Sequence, residues 1–486
     1  MANRAWRHAL SARAAGGAVA CAVLLASVHA QAGGLYFTDR GVRPMGRGGA
    51  FVAGADDLGA IVYNPAGLVY ARRQFLADMA WLLFHSEYSR AARIRQVDPN
   101  TGEPTGQQWD ETLPTTEGSA QLIPIPTLAV SYDFGVPNTT FALGMYAPYA
   151  VAARYNAAVD GKPNPGRYML LNLEGSVLVV PGIWAAHQPD PHISLGIGFQ
   201  MLVGEYRSET VMNACLPERF NCATEAHDYD GVTKLNVGPL FAPGGNIGII
   251  VEPDPHVRIG ASYQLPFFVD APATVQVRIP RAAVFKNAQQ QGDKARVQMD
   301  FPWIGRVGVE ARNDWLRGEL AYVYEAWGMH DEIKISTDNI VLRDVVFLPD
   351  EYRITDQTIV RNFRDTWSLR LGGEATWEIE GYKLDTRAGV MYEKSAVPKE
   401  YLTTLSIDLD KVIVGIGGSL HVGNTWRFDA LIARTFTATE TVSTGEAKVP
   451  LLNPVRSNPP EFEDYVNAGE YRATATVLGV GMAVNL

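Results

Sequence analysis

The sequence predicts an all-β protein: a transmembrane β-barrel of about 14 antiparallel strands with a small N-terminal helical plug in its lumen. Three observations predict this class. Apolar and polar residues alternate over long stretches of the chain. Short turns alternate with long connections. No stretch beyond the leader offers about 20 consecutive apolar residues, as a membrane-spanning helix would need.

The first 32 residues have the features of a secretory signal peptide. They carry three arginines in a basic start, an apolar run over 14–28, and candidate cleavage sites after Ala30 and Ala32. A membrane anchor is the alternative, but the apolar run is short for a bilayer span. Loss of the three arginines changes the formal charge from 42 − 52 = −10 to 39 − 52 = −13. An acidic exported chain without basic runs is a poor partner for nucleic acid.

Two cysteines follow the leader, Cys215 and Cys222. In an oxidising compartment a short loop disulfide between them is the leading interpretation. A zinc site is disfavoured, since no second cysteine pair or spaced histidine pair accompanies them. Residues 98–102 hint at a calcium loop but lack its closing glutamate, so ion binding there stays open. We predict no metal and no cofactor.

The alternation has a consistent form along the chain. In residues 193–203, ISLGIGFQMLV, every second side chain is large and apolar, and those between are mostly small or polar. Residues 412–422 and the C-terminus repeat this pattern, while in 367–377 and 384–393 the second face carries charges of both signs. Such faces suit the interior of a barrel whose apolar faces meet lipid. A soluble sandwich with its polar faces in water is the alternative.

Turns and loops give the strand count. Long irregular connections lie between the short turns, at 93–120, 152–172, 212–232, 270–293, 330–363, 395–409 and 440–470. Short polar turns are predicted at 135–138, 188–191, 252–255, 312–314, 379–381 and 422–425. Six turns and seven loops imply fourteen strands between residues 74 and 486, with both termini on the periplasmic side.

Residues 33–73 are left over from this count. Asp56 and Asp57 are predicted to cap a short helix that Asn64-Pro65 ends, because proline moves its predecessor out of the helical region. The glycine-rich run at 43–50 lacks the Gly-Lys-Ser/Thr ending of a phosphate loop. The segment is too short for a core of its own, so we expect it inside the barrel.

The run MGRGGAFVAGADDLGAIVYNPAGL, residues 45–68, resembles the N-terminal hatch of the FadL family of outer-membrane transporters for long-chain fatty acids and other hydrophobic compounds. Further similar motifs occur at 299–312, 322–335 and 387–420, so the resemblance spans essentially the mature chain. One departure is the final Leu486, where such barrels usually end in an aromatic residue.

The resemblance implies roles for particular positions. Residues 33–73 would be the hatch, with Asp56, Asp57 and the turn Asn64-Pro65-Ala66 as its motif. The strand 141–150 would be the kinked strand that opens a lateral gap in the wall, with Ala147 and Pro148 at the break; a simple loop start is the alternative.

Loops near 212–232 and 270–293 would form an external apolar groove; the second offers Val275, Val277, Ile279, Val284 and Phe285. Arg207 is the candidate to bind a substrate carboxylate, and a structural ion pair with Glu205 or Glu209 is its alternative.

The function expected is passive transport of hydrophobic molecules across the bacterial outer membrane, with release into the membrane through the wall. The expected partners are a hydrophobic small molecule, such as a fatty acid or an aromatic hydrocarbon, and outer-membrane lipid, and the protein is expected to act as a monomer. The alternative is a porin for small polar solutes. No HExxH or GxSxG motif occurs, and an enzyme is not expected.

Overall fold

The structure is a computed structural model that describes residues 39–98, 101, 104–148, 153–215, 225–455 and 464–486. The predicted signal peptide, residues 33–38 of the predicted hatch and most of the 98–102 loop lie outside the described residues. Cys215 is disulfide-bonded, and its predicted partner Cys222 also lies outside them.

Within the described part of the chain, fourteen antiparallel strands form one closed wall. Each pairs with the next along the chain. The last pairs with the first from Gln74↔Asn485 to Arg90↔Gly469, which closes the ring. The wall strands are β1 Gln74–Val97, β2 Thr116–Tyr132, β3 Thr139–Tyr146, β4 Val177–Asp190, β5 Ile193–Asn213, β6 Asp230–Asp254, β7 Val257–Gln264 with Phe267–Arg278, β8 Lys294–Phe301 with Ile304–Arg312, β9 Leu316–Glu325 with Glu332–Thr337, β10 Gln357–Val360 with Thr366–Ile379, β11 Tyr382–Glu393, β12 Lys411–Val422, β13 Trp426–Thr437 with Glu440–Val442, and β14 Gly469–Asn485.

Six short turns and seven long connections separate these strands, at the predicted places. At 380–381 both Glu380 and Gly381 have positive φ, 52° and 83°, the backbone of a two-residue hairpin turn. The long connections hold the remaining strands, which are Pro104–Thr112, Arg154–Tyr155, Ala158–Val159, Lys162–Pro163, Gln289–Gln291, Val341–Arg343 and Glu351–Arg353. They also hold short 3-10 helices at His227–Tyr229, Ala283–Phe285 and Lys399–Tyr401, and a fourth, Trp327–Met329, interrupts β9.

The two faces of the wall differ as the alternation predicts. On β5, Ile197 and Phe199 point outward and are 61% and 55% exposed, whereas Gln200 is fully buried on the inner face. The charged positions of β10 and β11, such as Arg370 and Arg387, also point inward and are buried. The soluble-sandwich alternative is therefore wrong, because the apolar face is the exposed one.

Aromatic rings mark two levels on the outer face. Near the short turns Trp315 packs against Trp377, with ring centroids 6.0 Å apart. Further from the short turns, on β7, β8 and β9, Tyr263, Trp303 and Tyr324 form a chain of ring contacts with centroids 5.5 and 5.3 Å apart. Trp315 and Tyr324 are nine residues apart. That is about 30 Å along a strand, or about 23 Å at a tilt of about 40°. This height matches the roughly 25 Å apolar band of an outer-membrane barrel.

Residues 39–73, here called the N-terminal segment, pack against the inner faces of the strands. The segment contains α1 Val42–Gly46, α2 Ala60–Tyr63 and a 3-10 helix at Pro65–Tyr70. Its residues from 39 to 69 are buried except Asp56, which is partly exposed. These helices are too short to be stable alone, so the wall must supply their stabilisation.

Candidate functional site: the N-terminal segment and the apolar cavity

The Asn64-Pro65 turn joins two helices and ties them to the wall. Helix α2 ends at Tyr63, as predicted, and Asn64 is extended with φ −158° and ψ 102°. Its Oδ1 accepts a hydrogen bond from the N–H of Ala66 (3.2 Å), which caps the 3-10 helix. Its Nδ2 donates to the carbonyls of Val52 (2.9 Å) and Ile249 (3.1 Å). One buried side chain thus ends a helix, begins another and bonds to β6.

Inward-facing glycines let the backbone of the segment lie directly on the wall. A Cβ on Gly248 would lie 2.0 Å from Asn64 Oδ1, and one on Gly196 would lie 2.2 Å from the carbonyl carbon of Pro65. Neither distance leaves room for a side chain. The same close approach recurs against residues 45–53 of the segment, at Gly260, Gly372, Gly389 and Gly415. On each of six strands a glycine thus allows the backbone of the segment to contact the wall where a side chain would keep it away.

Asp56 and Asp57 do not cap α2, and that prediction is wrong. The N-cap of α2 is Gly59, without a side-chain hydrogen bond. Asp57 Oδ1 instead accepts the N–H of Gly59 in the preceding turn, at 2.9 Å. The carboxylates bind arginines: Asp56 pairs with Arg43 and Arg317, and Asp57 pairs with Arg427 at 2.7 Å. The ion pairs with Arg317 and Arg427 join the N-terminal segment to β9 and β13.

These three pairs belong to a larger buried ion network. Arg43 bridges both aspartates and Glu374 of β10, with its Nη2 2.8 Å from Glu374 Oε1. Arg47 Nη2 lies 2.9 Å from Glu310 Oε2 and 3.4 Å from Glu319 Oε2. Burial alone would raise the pKa of Asp56, but the charges of Arg317 and Arg43 outweigh it and hold that pKa well below its ordinary value. Asp56 therefore stays ionised at neutral pH.

A further carboxylate binds the segment through its backbone. Glu319 Oε1 accepts the N–H groups of Val52 (2.6 Å) and Ala53 (3.0 Å), and Oε2 accepts that of Gly54 (2.9 Å). Glu319 is buried, so breaking these bonds would leave a charge in a dry site. The segment is thus held both by side-chain pairs and by amide donors.

Strand β3 stops early, and the N-terminal segment covers the place where it stops. Its last residue is Tyr146, directly before Ala147 and Pro148. The next described piece, Arg154–Tyr155, pairs again with β2 at Gly118 and Ser119. The guanidinium of Arg40 donates to the carbonyl oxygens of both Ala147 and Pro148. Arg40 is 1% exposed, so these carbonyls are satisfied from inside the barrel.

An apolar cavity of about 120 Å³ lies between wall strands β5 to β10 and the long connections. Among the described residues, one cation lines it: Arg361, which is buried at the break in β10 and stacks on Phe363 at 4.7 Å. Most of the other lining side chains are aliphatic or aromatic, among them Met169, Leu170, Leu235, Val275, Val277, Ile279, Phe285, Val297, Met299, Ile333, Ile335 and Leu405.

Arg207 does not reach this cavity, so the structure does not support it as the carboxylate-binding residue. Its neighbours Tyr206 and Ser208 line the cavity, and successive strand residues face opposite sides. Arg207 is half-exposed and pairs with Glu205 at 2.7 Å, the structural alternative. Of the groove residues proposed from sequence, Val275, Val277, Ile279 and Phe285 line the cavity.

A second apolar cluster covers the cavity from the side of the long connections. It joins Phe285 to Leu342, Val345 and Val455, with Val284 packed against it. The predicted 270–293 loop is therefore part of this cluster. Much of the predicted 212–232 loop lies outside the described residues.

Sequence reasoning missed Arg40 and Arg361. The bond from Arg40 to Ala147 spans 107 residues, and no spacing in the sequence marks it. Arg361 follows a short β-branched run without a recognisable motif. Among the described residues no group of three or more His, Cys, Asp or Glu side chains is placed to hold a metal. Of the helices in those residues, none has the length and apolar character needed to cross a membrane.

A closed wall with an apolar outer band, short turns at one end and long connections at the other has the architecture of an outer-membrane β-barrel. Residues 23–485 match the family described as outer membrane protein transport protein (OMPP1/FadL/TodX). The chain belongs to this family, which confirms the resemblance and the outer-membrane location. The short turns are accordingly periplasmic and the long connections external.

Solved structures share the fold at low identity. A Pseudomonas aeruginosa FadL homologue is 14% identical with a TM-score of 0.69, over 93% of this chain and 100% of the other. The Pseudomonas putida toluene transporter TodX is 14% identical with a TM-score of 0.60, over 93% and 99%. The Ralstonia pickettii toluene transporter TbuX is 14% identical with a TM-score of 0.57, over 92% and 99%. The comparison with curated proteins finds no match.

Gly248→Ala tests the docking of the segment. The new Cβ would displace Asn64, whose three hydrogen bonds contribute about 1 kcal/mol each. We expect the protein to unfold at a lower temperature by circular dichroism and to admit small sugars in liposome-swelling assays. Gly318→Ala is the matched control, since its Cβ would point outward with the nearest atom 3.9 Å away. Equal behaviour of the two variants would contradict the docking role.

Proposed function

We propose that the protein takes up small hydrophobic molecules passively across the outer membrane. The observation that carries this proposal is the apolar cavity between wall strands β5 to β10 and the external connections. Ligand pockets are concave and mostly apolar, with a few polar groups that fix orientation. Two of the structural neighbours are toluene transporters, which agrees with such a substrate.

The cavity size favours a substrate with one aromatic ring. Its volume of about 120 Å³ is close to the roughly 150 Å³ cavity known to bind benzene in another protein. A long-chain fatty acid is the second candidate, and Arg361 favours it because its guanidinium would pair with a carboxylate. A fatty acid would require the cavity to lengthen beyond its present form.

In this proposal residues 33–73 act as a hatch. The glycine contacts and the ion network would keep the described part of the segment in place against polar solutes. These contacts argue against the alternative of a porin for small polar solutes, because the lumen of a porin is a water-filled channel. The wall closes within one chain, so a second copy is not needed to complete the cavity.

The proposed exit lies at the end of β3. A molecule would leave sideways between β2 and β3, beyond Tyr146, where the strand ends. Arg40 would hold this exit closed by binding the two carbonyls. Movement of the segment that carries Arg40 would release them, so docking of the segment and opening of the wall would be coupled.

Arg40→Met tests this coupling. The variant keeps the side-chain length but removes the donors to Ala147 and Pro148. Loss of two charge-assisted bonds should raise the open population, and uptake of radiolabelled toluene into proteoliposomes should rise about tenfold or more. The control is Arg72→Met, which removes a half-exposed arginine that pairs with Asp133 at 3.3 Å at the periplasmic rim. Uptake by Arg40→Met equal to that of the control would rule out the coupling.

Val297→Trp tests the cavity itself. Val297 is 1% exposed and lines the cavity on β8, so an indole there would fill it. We expect uptake of toluene and of palmitate to fall at least about tenfold, equivalent to about 1.4 kcal/mol of lost binding. Val309→Trp on the same strand is the control, because Val309 is 52% exposed on the outer face. If both variants transport both compounds equally, the cavity is not on the transport route.

A further inference from the structure

The wall between β6 and β7 contains a stretch without ladder pairing. The two strands pair from Val232↔Arg278 to Val237↔Ala273, and again from Asn246↔Gln264 to Asp254↔Val257. Between these ladders, residues 238–245 face residues 265–272, all of them described, and no ladder pair joins the two stretches. One bond, from the N–H of Leu265 to the carbonyl of Gly245 at 2.8 Å, lies at its periplasmic end. We call this stretch the β6–β7 seam.

The seam exists because the alternation of inward and outward side chains on β6 is out of step with that on β7 by one residue. On β6, Val237 and Leu240 both point inward, so the strand changes phase at Gly238-Pro239. On β7, Gln264 and Phe267 both point inward, so the alternation changes phase at Leu265-Pro266, nearer the periplasmic end of the seam. Between the two sites, a residue of one strand that points inward lies opposite one that points outward. A one-residue slip of this kind prevents regular pairing.

Each edge of the seam is held by its other neighbour. β6 stays paired with β5 from Leu240↔Gly204 to Asn246↔Gly198. β7 stays paired with β8 from Phe267↔Phe301 to Pro272↔Arg296. Separation of the seam would therefore unravel neither strand. Four prolines lower its bonding capacity further, since proline has no N–H to donate: Pro239, Pro243, Pro266 and Pro272.

An apolar path crosses the seam. On the cavity side lie Leu235 and Val275, within the seam Ala242, Phe267 and Val269 are buried, and outside Phe268 is 57% exposed. The ring of Phe267 fills the space beside Gly244, where a Cβ would lie 2.4 Å from that ring.

The seam also lies at a defined height in the membrane. It begins two residues beyond Tyr263, whose ring belongs to the external aromatic level. The seam therefore meets the headgroup region of the outer leaflet.

We propose that the β6–β7 seam is a second lateral passage, through which the small hydrophobic molecule moves between the cavity and the outer leaflet. This inference rests on the proposed function and is distinct from the exit at β3. A path of apolar side chains spares the molecule the buried charges that lie along the axis of the barrel. Because no ladder joins the two strands there, the seam can part while the rest of the wall stays paired.

A cross-link tests the seam. Ala242→Cys with Val269→Cys places one inward thiol on each side, and Ile249→Cys with Ala261→Cys is the matched control in the regular ladder of the same two strands. We expect oxidation to lower toluene uptake by the seam variant at least 3-fold, to be reversed by reductant, and to leave the control unchanged. Equal uptake by the oxidised and reduced seam variant, with the cross-link verified by mass spectrometry, would overturn the proposal. Absence of uptake by the unmodified protein would instead overturn the proposed function.

A labelling experiment decides the question if the cross-link does not form. Ala242→Cys and Val477→Cys each place one thiol at a buried inward position, the first in the seam and the second in the paired β14. A phospholipid that carries a maleimide headgroup should label the seam thiol at least 10-fold faster, because the seam opens to the bilayer and the paired wall at β14 does not. Equal labelling rates would contradict a passage at this place.

Discussion

The structure depends on the direct contact between the backbone of the N-terminal segment and inward glycines of the wall. At Gly196, Gly248 and Gly372 a Cβ would lie 2.0–2.2 Å from atoms of the segment, so any larger residue would displace it. This contact brings the segment close enough for Asn64 to bond to β6 and for Glu319 to accept three of its amides. Without it the short helices would have no host.

Polar and apolar chemistry are separated within the lumen. The ion network of Arg43, Arg47 and their carboxylate partners lies where the segment meets β8 to β13, and the cavity lies on the external side of the segment. An apolar molecule in the cavity would have to disrupt buried charge pairs in order to move along the axis, which is costly. The wall offers less resistance, because β3 stops at Tyr146 and the β6–β7 seam lacks its ladder. This distribution of charge is the reason why we propose sideways movement.

Much of the fold could be predicted from the sequence, because strand alternation and turn residues act locally. All six turns lie where the sequence places them. Contacts between distant strands could not be predicted. Arg207 carries the charge needed to bind a carboxylate, but the alternation of side chains along β5 places it on the outer face. Asp56 and Asp57 bind arginines that are hundreds of residues away. The β6–β7 seam could not be predicted for the same reason, since the alternation along one strand does not show whether it is in step with the alternation along the next strand.

The most direct test of the account is the electrical conductance of the unmodified protein in a planar lipid bilayer, measured before and after saturation with toluene. A segment held by glycine contacts and buried ion pairs should keep ions out, so we expect conductance near the background level in both conditions while toluene uptake proceeds in parallel vesicles. A stable conductance of the size seen for open porins would show that the lumen is a water-filled channel and would contradict the account.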